Sequence, residues 1–126
     1  MSNPGSQYQI LVVDDSPVMR KGIINLLQEH IQADFLEAND GQAAVDMYKE
    51  AQPDLVTMDV NMPGMDGMEA LKKILGFDQK AKVVMLTTEA EKQKIIEAVS
   101  MGAKSYIVKP MDRDKALQKI KNTLEL

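Results

Sequence analysis

Short apolar runs alternate with amphipathic stretches along the whole chain, and this alternation predicts its elements. Gln9 to Val13 reads as a strand running into Asp14-Asp15. Ser16-Pro17 follows, an N-cap residue with proline at the first helical position. Met19, Ile23, Leu26 and Leu27 then share one face of a helix ending near His30. Asp34 to Ala38 reads as a second strand, followed by the turn Asn39-Asp40-Gly41. Ala43, Ala44, Met47 and Ala51 mark a second helix, closed by Pro53. Leu55 to Met58 is a third strand ending at Asp59. A loop with Pro63, Gly64 and Gly67 leads into a helix carrying Met68, Leu71 and Leu75. Lys82 to Leu86 is a fourth strand ending at Thr87. Ile95, Ile96 and Val99 lie on a fourth helix stopped by Gly102. Ser105 to Val108 is a fifth strand ending at Lys109-Pro110, and Leu117, Ile120 and Leu124 form the stripe of a last helix.

Strands alternating with helices imply parallel pairing, because a parallel neighbour is reached only through a crossover. The expected fold class is therefore α/β, a single doubly wound parallel sheet covered on both faces. Its middle strands are continuous apolar runs, as strands buried on both faces require. In such sheets ligands bind outside the carboxyl ends of the strands, where the strand order reverses.

Those ends carry chemistry. The first strand delivers Asp14 and Asp15, the third Asp59, the fourth Thr87 and Thr88, and the fifth Lys109. The second strand delivers no such group, which fits a place outside the switch point. Clustered carboxylates repel, and at least one must hold its proton unless a cation intervenes. Mg²⁺ suits them: a hard cation that takes one or two carboxylates, keeps several waters and completes its shell with phosphate oxygens. A carboxylate is also a competent nucleophile toward phosphorus. Phosphoryl transfer needs its charge neutralised, and a metal, the Lys109 ammonium and the Thr87 hydroxyl can each take one oxygen. Asp59 stands apart from the Asp14-Asp15 pair, so it is the best nucleophile and the pair is left to hold metal. Each residue alone has a plain account: a helix cap, a turn aspartate, a surface lysine, a strand threonine. Their convergence at four strand ends does not.

Composition narrows the classes. The chain has 126 residues, one domain's worth, with 44% hydrophobic and 27% charged residues. It contains no cysteine, which excludes disulfides, thiolate metal sites and cysteine nucleophiles. One histidine, His30, excludes a multi-histidine metal site. It reads as a surface residue at a helix C-terminus. Fifteen basic and 19 acidic side chains give a net charge of −4, which argues against nucleic acid as a partner. No apolar run spans a membrane, and Met1 to Gln9 lacks the basic and apolar regions of a secretory signal. The ten methionines read mostly as core and loop fillers. Lys115, Lys119 and Lys121, interspersed with acids, read as a solvated face able to help dock an acidic peptide.

Asp14-Asp15, the run Pro53 to Asp59, Met62-Pro63-Gly64-Met65-Asp66-Gly67, Thr87 and Lys109-Pro110 resemble the receiver domains of two-component response regulators. The similarity covers about Ile10 to Leu124 and is nearest to the stand-alone chemotaxis receivers of the CheY type. Thr87-Thr88-Glu89-Ala90 and the run Lys104 to Pro110 carry that second likeness. Val60, Thr88 and Met111 depart from its pattern.

The resemblance implies a flavodoxin-like (βα)5 sheet of order 2-1-3-4-5. It implies a receiver domain over 9–126 and a disordered or loosely held N-terminus over 1–8. Asp59 would be the phosphoacceptor. Asp15 and Asp59 would bind Mg²⁺ directly, with the Asn61 carbonyl a third ligand and Asp14 acting through water. Thr87 and Lys109 would contact the phosphoryl group, and the Lys109-Pro110 bond would be cis. Tyr106 would be the switch aromatic that turns inward when Thr87 moves. Asn61 and Glu89 would tune hydrolysis. Ala90, Ile95, Tyr106, Val108, Met111 and Lys119 would form the partner face.

The implied role is a phosphoacceptor switch that catalyses its own phosphorylation and dephosphorylation, not an enzyme acting on other substrates. A histidine kinase would supply the phosphoryl group, with a flagellar switch protein as target and a phosphatase as a further partner. A cytoplasmic monomer is expected, with no output domain after the fifth helix. The alternative is a phosphorelay intermediate feeding a histidine phosphotransfer protein. A haloacid-dehalogenase-type phosphatase would need a second aspartate where Asn61 stands. A flavodoxin would need a Ser/Thr/Gly-rich phosphate loop where Asp14-Asp15 stands.

Overall fold

The computed structural model describes residues 7–126. Five parallel strands form one sheet: β1 Tyr8–Val13, β2 Ala33–Ala38, β3 Leu55–Asp59, β4 Val83–Thr88 and β5 Ser105–Lys109. Five helices connect and cover them: α1 Pro17–Gln28, α2 Gly41–Ala51, α3 Gly67–Phe77, α4 Lys92–Met101 and α5 Arg113–Leu124. The strand order is β2-β1-β3-β4-β5, the flavodoxin-like doubly wound order. Among the described residues no helix is long and apolar enough to cross a membrane.

Alternation along the strands builds two cores. Leu11, Val13, Val56, Met58, Val83 and Met85 face the side covered by α2, α3 and α4. Ile10, Val12, Leu55, Val84, Leu86 and Ile107 face the side covered by α1 and α5. Every residue of β3 is buried, as a central parallel strand covered on both faces should be, and the run Leu55 to Met58 is apolar except at Thr57.

Helix starts follow their caps. The Ser16 hydroxyl accepts the Met19 N–H at 3.3 Å, with Pro17 at the first helical position. Asp40, Asp66 and Asp112 cap α2, α3 and α5 in the same way. Gly102 ends α4 with a φ of 126°, a conformation a side chain would resist.

Several expectations need adjusting. Residues 1–6 of the expected loose N-terminus lie outside the described residues. Tyr8 already belongs to β1, and the Gln7 N–H donates to the Gln32 carbonyl at 3.0 Å. The first helix ends at Gln28, leaving His30 exposed two residues beyond it. In α4 the buried residues are Ile95 and Ala98, while Ile96 and Val99 are exposed. The expected apolar stripe was therefore rotated: α4 turns only a narrow face to the sheet. In α2 the buried face likewise centres on Ala44, Val45 and Tyr48, with Ala43 and Met47 at its margin.

Candidate functional site

The register brings the candidate residues to one edge. Val13 of β1 is level with Met58 of β3, so Asp14 follows β1 where Asp59 ends β3. Asp59 is level with Leu86, and Thr88 with Lys109, so Thr87 and Lys109 reach the same edge. The order reverses between β1 and β3, which opens the crevice there. Asp14, Asp15 and Asp59 each offer a carboxylate oxygen, all within 4.8 Å of one another. Asp14 and Asp59 are buried, whereas Asp15 is exposed.

Local bonds fix most of these groups. Asp14 Oδ1 accepts the Ser16 N–H at 2.9 Å, and its Oδ2 accepts from Lys109 Nζ at 3.3 Å. The same ammonium lies 3.3 Å from Asp59 Oδ1. Lys109 thus offsets the repulsion between two neighbouring buried carboxylates. The Asn61 N–H donates to Asp59 Oδ1 at 3.2 Å, while Asp59 Oδ2 has no hydrogen bond among the described residues. Burial pushes the Asp59 carboxyl above its ordinary range. The Lys109 charge pulls it back, Asp14 raises it again, and the Asn61 N–H lowers it. A cation in the crevice would favour the ionised form of all three acids. Three hard oxygen donors, one of them on the exposed Asp15, fit a divalent cation of the Mg²⁺ type.

Thr87 is buried at the same edge, and its hydroxyl donates to the Thr88 carbonyl at 3.2 Å. The Lys109-Pro110 bond is cis, as expected. Tyr106 is half-buried against the core on the α4 side. Lys119 Nζ donates to the Tyr106 carbonyl at 2.6 Å and sits 4.2 Å from the centre of its ring. A cleft of about 400 Å³ opens beside Tyr106, lined also by Glu89, Val108 and Lys119. Ile95 departs from its expected place on this face, because it is buried in the core. Ala90 is exposed and Met111 half-buried. Glu89 is exposed and pairs with Lys92 at 2.9 Å on the short 3₁₀ turn before α4.

The sequence pattern does not single out Arg20, and it accounts for Gly67 only as loop chemistry. Arg20 on α1 donates to the Asp14 carbonyl at 2.7 Å and to Glu37 at 2.9 Å, bracing the end of β1. Its place one turn after the Ser16 cap was the only signal. Gly67 donates to the Val60 carbonyl at 3.0 Å, and a Cβ there would collide with the Asp59 carbonyl oxygen. Close backbone approach, not turn chemistry, requires a glycine at this position.

Fold and site together define a class: a doubly wound α/β domain with an acidic, lysine-braced crevice at its switch point. The model of the response regulator receiver domain matches residues 10–121. The chain belongs to that family. It is 44% identical over 116 residues to protein CcdB of Bacillus subtilis, covering 92% of this chain and 97% of the relative. It is 43% identical over 117 residues to the chemotaxis protein CheY of the same organism, covering 93% and 98%. Among solved structures, a LuxR-family two-component response regulator from Aurantimonas is similar, with a TM-score of 0.88 and 31% identity. That likeness covers 95% of this chain and 86% of the other.

Proposed function

We propose that the chain is a phosphorylation-driven signalling switch that takes a phosphoryl group on Asp59. The convergence of Asp14, Asp15 and Asp59 with Lys109 at one sheet edge carries this reading. The Asn61 N–H and Lys109 hold Oδ1 of Asp59, which leaves Oδ2 to attack. An Oδ2–P bond forms as the N–P bond of a phosphohistidine donor breaks, and the leaving imidazole keeps the electron pair. Asp15 and Asp59, with the Asn61 carbonyl, would hold Mg²⁺, while Asp14 acts through water. Bound there, the ion neutralises charge on the transferring group. Lys109 then faces a phosphoryl oxygen and Asp14 loses its share of the ammonium. The Thr87 hydroxyl exchanges the Thr88 carbonyl for another phosphoryl oxygen, and Tyr106 packs into the space released. In this reading Asn61, whose N–H meets Asp59, and Glu89 would set access for hydrolytic water.

The similarity to CheY supports a chemotaxis output through Ala90, Tyr106, Val108, Met111 and Lys119. A histidine kinase is the donor in this reading. The test is incubation with acetyl phosphate and Mg²⁺, borohydride reduction and peptide mapping. One adduct at Asp59 is expected, and an adduct elsewhere overturns the assignment. The phosphorylated chain is then offered a flagellar-switch fraction and a histidine phosphotransfer protein. Tight binding to the first supports chemotaxis; phosphoryl loss to the second replaces it with a relay.

A further inference from the structure

The pole of the sheet opposite Asp59 carries a second concentration of charge, of the other sign. A cleft of about 560 Å³ opens there, lined by Lys80, Lys82, Lys104 and Lys119 together with Ser105 and Asn122. Lys82 immediately precedes β4, and Lys104 immediately precedes β5. The Lys104 N–H donates to the Val83 carbonyl at 2.9 Å, which ties the starts of the two strands together, and both lysines line the cleft. Lys80, Lys82 and Lys104 make no ion pair among the described residues. Lys119 is held by a carbonyl and an aromatic ring, not by an acid. Glu125 is the one acidic residue lining the cleft. Four lysines around a single acid stand out in a chain of net charge −4.

We propose that this cleft binds a compact polyphosphate-class anion, and that Lys119 reports its occupancy to Tyr106. The chemistry favours phosphate over a peptide. Ammonium groups are point charges suited to phosphate oxygens, and hydroxyl and carboxamide groups supply further donors. The lining contains no apolar or aromatic side chain to seat a peptide's residues or a nucleobase. Lys119 borders both this cleft and the one beside Tyr106. An anion in the lower cleft competes with the Tyr106 carbonyl and ring for the same ammonium. Occupancy therefore loosens a clamp on the half-buried aromatic from a pole that phosphorylation does not touch. The anion site itself does not depend on the reading of Asp59.

The experiment titrates the metal-free chain with inorganic tripolyphosphate while amide and tyrosine-ring NMR signals are followed. Saturable shifts are expected at Lys80, Lys82, Lys104 and Ser105, together with a shift of the Tyr106 ring. The double variant Lys80→Gln/Lys104→Gln should bind at least about tenfold more weakly, the worth of one charge-assisted contact. Lys72→Gln/Lys73→Gln, which removes two exposed lysines of α3, should bind as the parent does. Equal weakening by both double variants, or shifts that never saturate, would overturn the site. An Asp/Glu hexapeptide that binds more tightly than tripolyphosphate would overturn the ligand class. Lys119→Gln should keep the cleft shifts and lose the Tyr106 ring response. An undiminished ring response in that variant would overturn the coupling.

Discussion

Replacing Thr57 with valine is expected to stabilise the fold, although the site lies two residues from the proposed phosphoacceptor. Thr57 is fully buried in the middle of β3. It is level with Val12 and Val84, both members of the apolar cluster under α1 and α5. Its hydroxyl has no hydrogen-bond partner among the described residues. Burying an unpartnered hydroxyl costs about 1–3 kcal/mol, because its bonds to water in the unfolded chain are not replaced. Valine keeps the branched shape suited to a strand and puts a methyl group in the hydroxyl's place. The expected gain is therefore about 1–3 kcal/mol, or roughly 3–6 °C in Tm per kcal/mol for a domain of this size. Urea unfolding should show a higher midpoint with an unchanged slope, since the exposed area barely changes. Thr57→Ala removes the same hydroxyl and leaves a cavity, so it should gain less than valine or lose stability. Phosphoryl uptake by Thr57→Val should match the parent. A midpoint that falls on Thr57→Val would refute the reasoning and show that the hydroxyl is satisfied in solution.

Three further outcomes are expected. Gly67→Ala should cost about 1–3 kcal/mol, because the new Cβ meets the Asp59 carbonyl oxygen and lies 2.9 Å from Val60 Cα. It should also slow phosphoryl uptake, and a normal rate with normal stability would refute the packing argument. Asp59→Asn should accept no phosphoryl group and, in metal-free buffer, should be more stable than the parent at neutral pH. The raised carboxyl makes the parent's stability greatest below the unfolded-state value and lower as pH rises through the folded one. The difference between the two proteins should vanish at acid pH, and a difference that grows there would reverse the sign. Asp15→Ala should abolish Mg²⁺ binding measured by calorimetry. Asp14→Ala should weaken it less, because both Asp14 oxygens already serve Ser16 and Lys109; equal losses would refute that division.

Much of this protein is written in local pattern. The alternation of apolar runs and helical stripes determined the five βα units, because burial on both faces of a parallel strand demands an unbroken apolar run. Ser16-Pro17 determined where α1 begins, since capping is a contact within one turn. The candidate groups were legible too, because strand ends can be counted along the chain and polar residues after apolar runs mark them. Which side of a helix meets the sheet was less so. Ile96 and Val99 are apolar yet exposed, because the turn before α4 sets its rotation and only Ile95 and Ala98 reach the core. That rotation also removed Ile95 from the expected partner face. The need for glycine at residue 67 arises from a backbone eight residues earlier in sequence. The bracing of β1 by Arg20, the shared grip of Lys109 on Asp14 and Asp59, and the Lys119–Tyr106 clamp all span elements. Such contacts depend on crossover geometry and register, which fix distances between side chains that the sequence alone leaves free.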